Sequence, residues 1–188
     1  MTVDIEKLRA AIPHTQPPFA LKKLGHVVIK VTDLQRSLAF YAGVLGFKVS
    51  DIIGDDRMPG GMIFMRCNPD HHGIALVGGA PGATQQHELH HIAFEAASLD
   101  DIFRARDHLR KHGATIVFEG RRGAGAQVAI EFLDPDGHNL EFYWGIDQIG
   151  ADGVSRPPHE WRDAKSLEEA VANPPVARNI TDNSIAAG

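Results

Sequence analysis

The stretch "LGHVVIKVTDL", residues 24–34, sets a histidine at the head of an apolar run, where a buried strand ordinarily carries Val or Ile. A second stretch, "ELHHIAFEAASL" at 88–99, repeats the arrangement with His91, an apolar run and then a polar break. In the first copy "HVVIKV" reads as a strand. Thr32 or Asp33 then caps a helix in which Leu34, Leu38, Tyr41 and Leu45 recur on one face, as a helix packed on a sheet requires. Gly46 stops that helix, and "FKVSDI", "GMIFMRC" and "GIALVG" follow as three strands separated by Gly, Asp and Pro turns. The unit is β-α-β-β-β.

After the loop "GAPGATQQ" at 79–86 the same order returns. Strand "HHIAFEA" leads to a helix from Ser98, where Ser98 and Asp101 resemble a capping box and Leu99, Ile102, Phe103 and Leu109 form an apolar stripe interrupted by Arg106. Beyond Gly113 come "TIVFEG", "QVAIEFL" and, past the turn "DPDG", "NLEFYW". The head histidine precedes the helix-ending glycine by 20 residues in one copy and 22 in the other, so the repeat is one of order and of spacing. The expected fold is therefore α+β, with two tandem βαβββ modules at 21–80 and 81–146. Residues 1–20 are expected to form a short helix over 4–11 and an arm around "PHTQPP" at 13–18. Residues 147–188 form a Pro-rich extension with one short helix capped by Ser166 and Glu169, its last ten residues reading as disordered. Such an extension, with Trp161, is expected either to lid the site or to clasp a partner subunit, and a homo-oligomer is expected.

Composition narrows the function. The 188 residues, 43% hydrophobic, suffice for a buried core. A net charge of −5 with scattered basic residues lacks the footprint of a nucleic-acid binder. Cys67 stands alone, which excludes an intramolecular disulfide framework and any CxxC motif. No apolar run approaches membrane-spanning length and the N-terminus does not read as a signal peptide, so a cytoplasmic location and no membrane partner are expected.

The residues "GHVVIKVTDLQRSLAFYAGVLGFKV", "HHIAFE" and "DPDGHNLEFYWG" resemble the vicinal oxygen chelate superfamily over roughly residues 22–146. The resemblance implies paired βαβββ modules curling their sheets into a cup around a metal, with ligands from the first strand of each module and the last strand of the second. Those positions are His26, His91 and Glu141. Two imidazoles and one carboxylate on one face of an ion make the 2-His-1-carboxylate triad of non-haem Fe(II) oxygenases, so Fe(II) is the expected metal, with Mn, Ni or Zn as alternatives. Superposing "HIAFEA" on "HVVIKV" selects His91 over His90, which strand alternation turns to the other face.

Glyoxalase I enzymes of the superfamily use a fourth ligand, a carboxylate on the last strand of the first module, and here that position is Ala75. An open site of this kind favours the extradiol ring-cleavage dioxygenases, above all their one-domain forms. It implies a catechol-like aromatic diol and O2 as substrates, and a place in aromatic hydrocarbon catabolism. "CNPDHHGIALVG" at 67–78 resembles their pattern, with His72 in the place of an acid/base histidine. The chain departs from that pattern at Glu131, where those enzymes carry a tyrosine, and at Arg122, where they carry a histidine. Both polar groups are candidates for substrate contact and for pairing with each other. The alternatives are a glyoxalase-type isomerase or lyase using Ni or Zn, and a metal-free binding protein of the bleomycin-resistance kind.

Overall fold

The computed structural model describes residues 3–12, 23–85, 89–147, 154 and 156–176. The expected arm over 13–18 and the last ten residues lie outside them. A short exposed helix α1 (Ile5–Ala10) is capped by Asp4, whose side chain accepts from the Lys7 amide at 3.0 Å. The first module then runs β1 (Val27–Lys30), α2 (Leu34–Leu38), β2 (Lys48–Ile53), β3 (Met62–Arg66) and β4 (Ile74–Val77). The second repeats it with β5 (Ile92–Glu95), α3 (Leu99–Lys111), β6 (Ile116–Arg121), β7 (Val128–Leu133) and β8 (Asn139–Trp144). Each module makes one four-stranded mixed sheet, β1-β4-β3-β2 and β5-β8-β7-β6, in which the first and last strands pair in parallel.

Local chemistry explains the boundaries. Asp33 caps α2 by accepting from the Arg36 amide, and Ser98 caps α3 by accepting from the Asp101 amide. Gly46 and Gly113 close their helices at φ +78° and +70°, a backbone region that an L side chain occupies at a cost. One feature departs from the expected regular helix: after Leu38 the chain widens into a π-helical turn over Ala39–Val44. The widened turn contains Tyr41, fully buried, whose hydroxyl donates to Asp134 Oδ2 at 3.0 Å.

That contact belongs to the joint between the modules. The "DPDG" turn preceding β8 docks on α2: Asp136 accepts from the Thr32 hydroxyl at 2.5 Å, from Arg36 Nη2 at 2.8 Å and from the Thr32 amide at 3.3 Å. Phe47 meets Phe94 edge-on with ring centroids 5.3 Å apart, and a single apolar core runs through Ile29, Leu76, Phe47, Ile102, Phe132 and Leu140. Burial pushes the Asp136 carboxyl up, but the Thr32 hydroxyl and amide and the Arg36 guanidinium outweigh it, and the group titrates below the ordinary carboxylate value. A depressed carboxylate contributes stability that is present above its unfolded pKa and lost as pH falls through the folded one. Asp136→Asn is therefore expected to cost about 1.5–3 kcal/mol at neutral pH. In urea unfolding the gap to wild type should hold from about pH 5 upward and close below about pH 4. A gap that persists unchanged at pH 3 would contradict this.

The C-terminal extension lies on its own chain. A 3-10 turn at Pro158–Glu160 leads to helix α4 (Leu167–Ala172), whose Leu167 and Ala170 are fully buried in the core. Ser166 caps it by accepting from the Glu169 amide, while Glu169 reaches back to the Lys165 amide at 2.8 Å. Ala164 and Arg121 exchange backbone hydrogen bonds at 2.9 Å each way. The buried Arg121 guanidinium donates to the carbonyls of Arg162, Ala170 and Asn173, and Arg156 forms a buried two-pronged pair with Asp147 at 2.7 and 2.8 Å. Arg106, expected to interrupt the stripe of α3, instead joins it to α4 through Glu168 at 2.6 Å and lies over the Phe103 ring. Gly120 is needed where this segment crosses β6: it holds φ +137°, and a Cβ there would come within 2.1 Å of the Ala164 carbonyl oxygen. Gly120→Ala is expected to dislodge the segment at a cost of at least about 2 kcal/mol, read as new proteolytic cleavage between 147 and 176. Unchanged resistance to proteolysis would show that the segment docks without this contact.

Candidate metal centre

Strand pairing tests the equivalence of the two modules directly. Val28 of β1 faces Ala75 of β4, and Ala93 of β5 faces Glu141 of β8, so Ala75 and Glu141 hold corresponding places, each beside the strand led by its module's histidine. Glu141 is buried, and its Oε2 lies 3.6 Å from His91 Nε2. Its other oxygen, Oε1, is sealed from solvent and meets no hydrogen-bond partner. Burial raises the Glu141 carboxyl above its ordinary value, with His91 and Gln127 acting against that and Glu131 with it. A carboxylate held dry, beside an imidazole and one hydrogen bond short, fits a divalent cation.

The adjacent carboxylate is held differently. Glu131 on β7 faces Glu141 across the β7–β8 ladder and is equally buried. Its Oε1 accepts from Arg122 Nε at 2.9 Å and Nη2 at 2.6 Å, and its Oε2 from Asn139 at 3.1 Å. Burial pushes Glu131 up, yet the hydrogen bonds from Arg122 and Asn139 and the charges of Arg122 and His91 bring it below the ordinary value. Arg122 also lies over the Phe118 ring, 3.8 Å from its centroid, with 61% of its side chain exposed. Thus two neighbouring carboxylates shift in opposite senses because only one has a full set of donors. Asn139 and Gln127, which hold these groups, escaped the sequence reading. The alternation that places Glu131 and Glu141 on one face carries the signal for both, since Gln127 is four residues before Glu131 and Asn139 two before Glu141.

His26 is elsewhere. Its ring packs on that of His72 at 4.5 Å between centroids, and His72 packs in turn on Phe64 at 4.9 Å. The His71 and His72 Nδ1 atoms are 2.9 Å apart, and His71 Nε2 is 3.0 Å from Asp51 Oδ2. Desolvation and the positive potential of His26 and His71 hold the His72 imidazole below its ordinary pKa. Among the described residues, no three His, Cys, Asp or Glu side chains form a group that could hold a metal ion. The structure therefore unites His91 with Glu141 and places Glu131 and Arg122 beside them, and it unites His26 with His72, but it does not bring the two sets into one group. His90 also differs from expectation. β5 starts only at Ile92, so alternation does not govern the two preceding residues, and the His90 and His91 rings meet, with their Nδ1 atoms 2.7 Å apart.

Residues 23–142 match the Glyoxalase/Bleomycin resistance protein/Dioxygenase superfamily. A biphenyl-2,3-diol 1,2-dioxygenase of Paraburkholderia xenovorans is 34% identical over 155 residues, covering 79% of this chain and 51% of that protein. An iron-dependent extradiol dioxygenase of Rhodococcus jostii is 33% identical over 129 residues, 63% of this chain and 42% of that protein. The chain spans about half the length of the curated relatives it matches. Among solved structures, the fosfomycin resistance protein FosX of Listeria monocytogenes, complexed with Mn(II) and sulfate, superposes with a TM-score of 0.54 at 21% identity over 67% of this chain and 92% of that one, a likeness of fold. With two βαβββ modules in tandem and a match that runs through both, the chain belongs to the Glyoxalase/Bleomycin resistance protein/Dioxygenase superfamily.

Proposed function

We propose that this chain is a non-haem Fe(II)-dependent extradiol dioxygenase that opens a catechol-like aromatic diol with O2. The observation that carries the reading is the dry Glu141 carboxylate, 3.6 Å from His91 and with an unpartnered oxygen, in a module whose counterpart offers Ala75 where a further carboxylate would close the site. Relatives named as biphenyl-diol and iron-dependent extradiol dioxygenases support it. His26, His91 and Glu141 would hold the ion. Bound there, Fe(II) supplies a Lewis acid for the diol oxygens and a path for electrons from the diol to O2, so no external reductant is consumed.

The chain's own residues do the remaining work. His72, whose pKa is lowered by desolvation and by His26 and His71, is suited to take a diol proton at a ring nitrogen and to return it later. Phe64 packs edge-on against that imidazole, with ring centroids 4.9 Å apart. Glu131 is committed to Arg122 and Asn139 and so acts on the substrate through Arg122, whose exposed guanidinium would meet the ring or an anionic substituent at the rim.

The same commitment counts against the isomerase alternative, in which Glu131 would have to leave two donors to become a ligand. Metal exchange separates the readings. Anaerobic reconstitution with Fe(II) is expected to restore catechol-dependent oxygen uptake, and Zn(II) or Ni(II) is expected not to. Oxygen-independent turnover of a hemithioacetal with Ni(II) or Zn(II) would overturn the dioxygenase reading. Failure of the wild type to retain any divalent ion would instead favour a metal-free binding protein.

A further inference from the structure

The second module carries a feature that the first lacks. Strand pairing sets Phe64 beside Ala75 in the first module and Glu131 beside Glu141 in the second, so Glu131 stands where its counterpart is a phenylalanine. Burying a carboxylate there commits Arg122 and Asn139 to it. A carboxylate taken out of water, even when paired, seldom stabilises a fold more than an apolar side chain of similar volume. Stability therefore does not account for the exchange. We infer that Arg122, held by Glu131, is an anion receptor, and that the diol this chain takes carries a carboxylate on the ring carbon next to its hydroxyls. The inference rests on the dioxygenase reading above and names its substrate class.

The way the guanidinium is held suits that role. Glu131, its side chain 5% exposed, takes the inner edge of Arg122 through Nε at 2.9 Å and Nη2 at 2.6 Å. Its other oxygen accepts from Asn139 at 3.1 Å, so both carboxylate oxygens are engaged. The Arg122 side chain is 61% exposed, and Nη1 takes part in neither bond to Glu131. What the site presents outward is a cation with free N–H groups, not the carboxylate behind it. The plane is set as well, since the guanidinium lies over the Phe118 ring, 3.8 Å from its centroid, and Phe118 pairs with Glu131 across β6 and β7. A planar fork held on two sides has little rotamer freedom left to lose, and its geometry matches a carboxylate.

Position selects the substituent. Glu131 stands directly opposite Glu141, on strands about 4.8 Å apart, and Glu141 lies 3.6 Å from His91. A diol seated at Glu141 and His91 thus brings the ring carbon beside its hydroxyls, rather than the far edge of the ring, to Arg122. An alkyl or aryl group on that carbon would strip water from the guanidinium and give it no partner in return.

The test compares two ligands that differ only at that carbon, 2,3-dihydroxybenzoate and 3-methylcatechol. Their affinities for the Mn(II)-loaded protein are measured by anaerobic calorimetry at neutral pH, with metal content checked after each titration and circular dichroism checking the fold of each variant. The wild type should prefer the carboxylate by about 10–100-fold, the worth of a charge-assisted hydrogen bond. Arg122→Gln should bring the two affinities near parity. Arg122→Lys, a second variant that keeps the charge but loses the fork, should fall between. A merely structural arginine would move both affinities together. Equal affinities in the wild type, or a preference undiminished in either folded variant, would overturn the receptor and leave the dioxygenase reading standing. Binding of neither ligand would overturn both.

Discussion

Glu141→Gln is expected to abolish stoichiometric binding of a divalent ion and at the same time to raise the unfolding midpoint of the metal-free protein. The two effects have one origin. Glu141 is buried on β8 with one oxygen lacking any partner, and burial already disfavours its charged form. A neutral amide of the same shape removes that penalty, worth on the order of 1 kcal/mol, and removes the anionic ligand that the ion requires. Stability given up at a site in favour of ligand affinity is the usual signature of function. Thermal melts in chelator together with metal analysis check both halves. A variant that melts lower than wild type and still retains the ion would mean that Glu141 is a structural residue.

The second large effect is on turnover. His72→Phe should leave the bound metal in place and lower kcat by about 10²–10⁴-fold, the range typical of a general acid/base. Phenylalanine keeps the ring contacts to His26 and Phe64 and removes only the nitrogens that move a proton. The pH–rate profile of the variant should also lose the limb that reports the imidazole. Unchanged kcat with an unchanged profile would return His72 to the role of a loop residue ahead of β4.

How much of this is legible in the sequence follows from the range of the forces involved. Strand order, the caps at Asp33, Ser98 and Ser166, and the correspondence of Ala75 with Glu141 depend on neighbours in the chain or on one module's repeat, and periodicity reveals them. The π-helical turn at Ala39–Val44 does not show, because the apolar spacing is the same and the contact of Tyr41 is with Asp134, far along the chain. The burial of Arg121 and the reach of Arg106 are equally hidden: arginine ordinarily reads as surface, and the returning C-terminal segment supplies carbonyls to Arg121 and Glu168 to Arg106. That His26, His91 and Glu141 do not form one ligand group among the described residues is the most consequential case. A repeat establishes that two residues occupy equivalent places in their modules, whereas their distance depends on how one sheet is set against the other, which the "DPDG" turn and α2 decide in space.

The central claim, oxygen-dependent cleavage of a catechol-like diol, is tested most directly by the stoichiometry of oxygen to diol. Protein reconstituted anaerobically with Fe(II) is mixed with a catechol in labelled dioxygen, while uptake and near-visible absorbance are followed together and the product is weighed by mass spectrometry. The expected result is one O2 consumed per diol, with both oxygen atoms retained in a ring-opened product and no reductant required. Diol recovered intact with no oxygen uptake, from a protein shown to hold Fe(II), would contradict it.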